Sequence, residues 1–102
     1  MPPQPDETLY VVTHVDVMPP HAAEGAALLQ EFAIEIRRDA RSARFEVFQE
    51  ASRPNHFTIL GVWRSRQAFE AHETEPHTRR FRERLQPLLG SPLDERLHRL
   101  LQ

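Results

Sequence analysis

The sequence predicts an α+β domain with the split βαβ, ferredoxin-like order βαββαβ: a four-stranded antiparallel sheet with its helices on one face. Three observations carry this reading. Leu9, Val11, Thr13, Val15 and Val17 alternate with Tyr10, Val12, His14 and Asp16, the period of a strand. Residues 21–38 then carry Ala22, Gly25, Leu29, Phe32 and Ile36 on one helical stripe, with Glu24, Gln30, Glu31, Glu35 and Arg37 on much of the rest. Third, two apolar runs flank Ser52-Arg53-Pro54-Asn55, a turn sequence in which Pro and Asn suit the adjacent central positions.

The first strand is placed at Thr8–Val17, where Pro19 and Pro20 stop it. Arg44–Ala51 and His56–Arg64 form a hairpin around the turn. Ser65 is suited to cap a short helix carrying Ala68, Phe69 and His72. Thr74 is suited to cap another, with Pro76 in its first turn and His77, Phe81, Leu85 and Leu88 along it; Gly90 is expected to end it. Leu93–Leu101 is expected as the last strand. The helices cover one sheet face and leave the other partly apolar, which predicts a face-to-face homodimer. Residues 1–7 read as a disordered tail, and 8–102 as one domain.

Composition narrows the chemistry. A formal net charge of -2 gives no field that steers the chain to nucleic acid or an anionic membrane. All thirteen basic residues are arginine, so lysine Schiff-base chemistry is excluded; the absence of cysteine excludes thiolate catalysis and disulfides. The N-terminus lacks the basic and apolar regions of a secretory signal, and no stretch has the length of a membrane span, so the cytoplasm is the expected location. With no Gly-rich phosphate loop, Rossmann fingerprint or Gly-x-Ser-x-Gly elbow, no nucleotide cofactor is expected.

Several segments in order resemble one family: Asn55-His56-Phe57-Thr58-Ile59, Trp63, Ala68-Phe69-Glu70-Ala71-His72, Pro76-His77-Thr78, and the closing run Leu88-Leu89-Gly90-Ser91-Pro92-Leu93-Asp94-Glu95-Arg96-Leu97. With the first strand and Arg44-Phe45-Glu46-Val47, they are similar to the antibiotic biosynthesis monooxygenase (ABM) family, over nearly the whole chain after Thr8. The resemblance implies a dimeric α+β barrel with a pocket between sheet and helices in each subunit. Family members include cofactor-free oxygenases of anthrones and quinols, haem-degrading enzymes, and an isomerase of the autoinducer-2 phosphate. Two departures stand out. Gly61 occupies a place where the family often has glutamate, two residues before the tryptophan. Haem-degrading members have a tryptophan in the place of His72 and an iron-binding histidine on the next helix, where this chain reads Phe81-Arg82.

His72 and His77 are the candidate catalytic residues. They flank the break at Thr74-Glu75-Pro76, so both are expected to reach one pocket mouth, and a neutral imidazole can take a proton from a phenol or enol. The plain alternative is a solvated helix-end histidine. A metal is not expected, because His72-Glu73 followed by His77 is one residue too long for His-Glu-x-x-His and Pro76 interrupts it. Trp63 is either a stacking platform or a core anchor. Tyr10 and His14 share one strand face, as a pocket wall or a dimer seam, with the seam favoured for Tyr10. Asn55, Phe69 and Phe81 complete the binding candidates, although turn chemistry alone explains Asn55. Arg79, Arg80, Arg82 and Arg84 read as a charge-paired helix surface.

Three functions fit these readings. One is a cofactor-independent monooxygenase using dioxygen on a small electron-rich substrate. Another is an isomerase or proton-transfer enzyme on a small hydroxy-ketone such as an autoinducer-2-type compound. The last is a non-catalytic dimer that shelters a small metabolite.

Overall fold

The computed structural model describes residues 7–102, so the expected tail lies, apart from Glu7, outside the described residues. The elements are β1 (Leu9–Asp16), a 3-10 turn (Pro19–His21), α1 (Ala22–Arg37), β2 (Ser42–Gln49), β3 (His56–Trp63), α2 (Arg66–Glu73), α3 (Pro76–Leu85), a second 3-10 turn (Gln86–Leu88) and β4 (Asp94–His98). The four strands form one antiparallel sheet in the order β2-β3-β1-β4. This is the ferredoxin-like α+β arrangement that the sequence pattern predicts.

Burial follows strand parity. Leu9, Val11, Thr13 and Val15 of β1 are buried, whereas Tyr10, Val12 and Asp16 are half-buried and His14 is exposed. The odd-numbered side takes the helices. There α1 buries Gly25, Leu28, Leu29, Phe32, Ala33 and Ile36. Gly25 permits a close approach, since a Cβ on it would stand 3.1 Å from Val17 Cγ1. The other side carries Tyr10, Val12, Leu60 and Val62 at its centre, with Phe48 49% exposed beside them. Ion pairs Arg44–Glu46 and Arg96–Asp94 flank this apolar strip.

The hairpin turn forms as its residues require. His56 N–H donates to Arg53 O at 2.9 Å, which puts Pro54 and Asn55 at the central positions. Asn55 then ties the turn to the end of β1: its Nδ2 donates to Val17 O at 2.8 Å, and its O accepts from Val17 N–H at 2.9 Å. Ser65 caps α2, its Oγ accepting from Ala68 N–H at 3.0 Å.

β1 and β3 fall within one residue of their expected bounds, β2 spans Ser42–Gln49 rather than Arg44–Ala51, and three further boundaries differ from the sequence reading. Thr74 does not cap α3; its Oγ1 donates back to Ala71 O and closes α2, and Glu75 takes the cap position. Glu75 makes no side-chain cap because its carboxylate pairs with Arg41 at 2.9 Å. Gly90 does not end α3 either. The helix stops at Leu85 because Pro87 has no N–H to continue the ladder, and Gly90 N–H donates to Asp16 O. Finally, β4 spans Asp94–His98 rather than Leu93–Leu101. Its last partner is Tyr10, next to the first residue of β1, so residues beyond His98 have almost no strand left to pair with. Leu100 and Leu101 are accordingly 64% and 94% exposed. Among the described residues, no helix is long and apolar enough to cross a membrane.

Candidate active site

A narrow cleft with about 40 Å³ of free space lies between the inner sheet face and the helices and is partly open to solvent. Strand residues Val11, Thr13, Ile59 and Gly61 make its floor; Phe32 of α1, Phe69 and His72 of α2, and Phe81 and Arg82 of α3 make its roof. The roof is set by helix periodicity. Phe69 and His72 are three apart on α2, and Thr78 and Arg82 four apart on α3, so each pair shares a face. The break after Glu73 turns the chain back, and Thr78 meets His72.

His72 is 4% exposed. Its ring stacks on Trp63 with centroids 4.5 Å apart and planes 28° apart. Its Nδ1 lies 3.2 Å from Thr78 Oγ1, a fully buried hydroxyl. Phe32 and Phe81 stack face to face at 3.9 Å beside it. Burial, then the nearby His77 and Arg82, push the His72 imidazole down to about 4, against an opposing pull from Asp39. The ring is therefore neutral at neutral pH. When Nδ1–H donates to Thr78 Oγ1, Nε2 is left as a proton acceptor; in the reverse arrangement Thr78 donates and Nε2–H is a donor.

The cleft also has a charged rim. Arg82 donates to both carboxylate oxygens of Glu73, at 2.7 and 2.9 Å, and stands 3.7 Å from Glu95. Thr13 Oγ1 donates to Glu95 at a long 3.5 Å. Burial and then the Glu73 charge hold the Glu95 carboxyl above the usual carboxylate range.

Among the described residues, no group of three or more His, Asp or Glu side chains is placed to hold a metal ion. The sequence profile described as antibiotic biosynthesis monooxygenase matches residues 8–84. The chain belongs to the ABM family. No curated protein matches it. Among solved structures it resembles Rv0793 from Mycobacterium tuberculosis, at 20% identity and a TM-score of 0.87, covering 94% of this chain and 97% of that one. It also resembles a conserved protein from Methanosarcina mazei, at 20% identity and 0.85, covering 92% and 93%. A third, described as an antibiotic biosynthesis monooxygenase, matches at 18% identity and 0.87, covering 92% and 99%. At these identities the likeness shows the shared fold.

In this ABM domain the structure brings His72, Trp63, Phe69 and Phe81 to one cleft. It does not bring His77 there. His77 lines a separate groove between α1 and α3, among Glu31, Glu35, Arg80 and Arg84, and its buried Nε2 has no hydrogen-bond partner among the described residues. The two imidazoles are 6.0 Å apart, and Phe32 and Phe81 border both clefts. Tyr10 and His14 lie on the opposite sheet face, where His14 Nδ1 is 3.3 Å from Thr58 Oγ1, and Asn55 sits in the hairpin turn. Thr13, Thr78, Arg82 and Glu95 were not singled out by the sequence as pocket residues. The one available signal was Glu95, a charge sharing strand parity with Leu93 and Leu97. Gly61 has a local reason. A Cβ there would stand 3.2 Å from Trp63 Nε1 and 3.5 Å from Phe45, so the bare backbone makes room for the indole.

Proposed function

We propose that this ABM-family chain is a cofactor-independent monooxygenase that holds a small, flat, electron-rich quinol- or anthrone-like substrate in the inner cleft and deprotonates it with His72. The observation that carries this is the placement of one buried, neutral imidazole, stacked on Trp63 and oriented by Thr78, within an otherwise largely apolar and aromatic cleft. We assign the base to His72 rather than His77 because only His72 lines that cleft.

In this reading an anthrone-like C–H proton moves to His72 Nε2 while Nδ1–H donates to Thr78. An isolated imidazolium is disfavoured here, as the depressed value of about 4 records. The substrate anion formed beside it supplies the missing counter-charge, so the product of proton transfer is an ion pair in an apolar setting. The anion passes one electron to dioxygen, and the substrate radical and superoxide combine to form a C–O bond. The peroxide takes the proton back from His72. Loss of water breaks the O–O bond and leaves a carbonyl. The protein contributes orientation, a base and exclusion of bulk water.

The same reading has a second copy covering the outer sheet face, with Tyr10 and His14 in the seam beside Val12 and Leu60. It is tested by oxygen uptake of metal-stripped protein with a panel of quinols and anthrones, beside His72→Phe. Uptake should fall about 10²–10⁴-fold in the variant, the usual contribution of a general base. Equal uptake by the variant would remove His72 from the chemistry, and oxygen-free turnover of a hydroxy-ketone would favour an isomerase.

A further inference from the structure

Glu95 is the least settled group in the cleft. It comes from the edge strand β4, opposite Thr13 of β1, and reaches the inner face alongside Arg82. Its side chain is 33% exposed. Its two neighbours serve it poorly. Arg82 gives its short contacts to Glu73 and stays 3.7 Å from Glu95, and the Thr13 hydroxyl is 3.5 Å away. A carboxylate has about four acceptor positions, so this one enters the cleft with capacity to spare.

We infer that Glu95 and Arg82 form a second polar end of the substrate cleft, selecting neutral phenols whose hydroxyl donates to Glu95 and rejecting carboxylates. This rests on the proposal above only in placing the ligand in this cleft.

The charge count decides the sign. One guanidinium is shared by two carboxylates, Glu73 and Glu95, and it is already engaged by the first. An incoming carboxylate would meet Glu95 across a partly dehydrated cleft, where like charges are weakly screened. The Arg82 nitrogen nearest Glu95, Nη2, is the one that Glu73 already holds through both carboxylate oxygens, so a carboxylate entering on that side would compete with Glu73 for it. A phenolic hydroxyl meets no such barrier. It stays neutral outside the protein, and it fills an acceptor that is otherwise under-used. The apolar lining, with Phe32, Trp63, Phe69 and Phe81, takes the ring. A substrate with two hydroxyls on opposite edges engages His72 with one and Glu95 with the other.

The test is calorimetric titration under nitrogen with 2-naphthol and 2-naphthoate, which share one ring system and differ in the polar group. Wild type should bind 2-naphthol at least about tenfold tighter than 2-naphthoate, the scale of a hydrogen bond to a charged group. Glu95→Gln should weaken 2-naphthol and strengthen 2-naphthoate, narrowing the ratio. Glu95→Asp keeps the charge but withdraws it, so it should weaken 2-naphthol while still excluding 2-naphthoate. Circular dichroism of both variants checks the fold. Equal affinities in wild type, no binding of either ligand, or a ratio unchanged by Glu95→Gln would overturn the proposal. Loss of the oxygenase reading with this selectivity intact would refute that reading alone. Oxygen uptake with selectivity indifferent to Glu95 would refute this one alone.

Discussion

Replacing His72 with phenylalanine keeps a ring against Trp63 and removes the titrating group, so it isolates the energetics of the buried imidazole. The ring's value falls from 6.5 in the unfolded chain to about 4 in the fold. At about 1.4 kcal/mol per unit, that difference amounts to about 3 kcal/mol. The folded state refuses a proton that the unfolded state accepts. Above 6.5 both states are neutral and the group contributes no pH dependence. Between 6.5 and about 4 the unfolded chain binds more protons, so wild-type stability falls as pH falls, and below about 4 the full penalty is present. The variant lacks this loss. Near neutral pH it is the less stable protein, by about 1–3 kcal/mol, because Thr78 Oγ1 loses its partner in a buried site. Near pH 4 the order should close or reverse. Urea titrations across this range, followed by emission of Trp63, the sole tryptophan, measure the difference directly. Other groups titrate in both proteins and largely cancel. A stability difference that stays constant across the range would refute the neutral buried imidazole.

Three further outcomes follow from the same contacts. Thr78→Val should leave the fold in place but lower turnover with little change in substrate affinity, because it frees the His72 ring from its orienting partner; unchanged turnover would remove Thr78 from the mechanism. Gly61→Val should cost about 1–3 kcal/mol by overpacking and shift Trp63 emission, since the new atoms enter the space of the indole and Phe45; unaltered emission would contradict the close approach. Asn55→Ala should cost about 1 kcal/mol in thermal or urea unfolding through loss of the bond to Val17 O, while ligand affinity in the cleft stays at the wild-type level; a large loss of affinity would return Asn55 to the site.

The parts of this fold that local physics governs are legible in the sequence. Alternation gives the strands, Pro54-Asn55 gives the hairpin, and Ser65 gives the start of α2. The errors at Thr74 and Gly90 have local causes, the Ala71 carbonyl three residues back and Pro87, where one helix-end signal competes with another; only the end of β4 is set by a tertiary partner, the length of β1. The site divides in the same way. His72, Phe69 and Phe81 announce themselves by helical spacing. Tyr10 and His14 do not declare their side, because β1 is apolar on both parities, Val11 and Val15 on one and Val12 on the other; only the docking of α1 selects the inner face. His77 depends on the angle of the turn between α2 and α3, which no periodicity encodes. Glu95 reads as one more surface charge until β4 is paired with Thr13.

The inner cleft as the ligand site, with His72 as its neutral base, is tested most directly by side-chain nitrogen NMR of the six histidines during titration with 2-naphthol under nitrogen. The ligand should shift the His72 ring nitrogens and leave His14 and His56, on the outer sheet face, unmoved. Without ligand, the His72 ring should titrate near 4. Shifts confined to His14 and His56, or a His72 ring that titrates near 6.5, would contradict both the location and the chemistry.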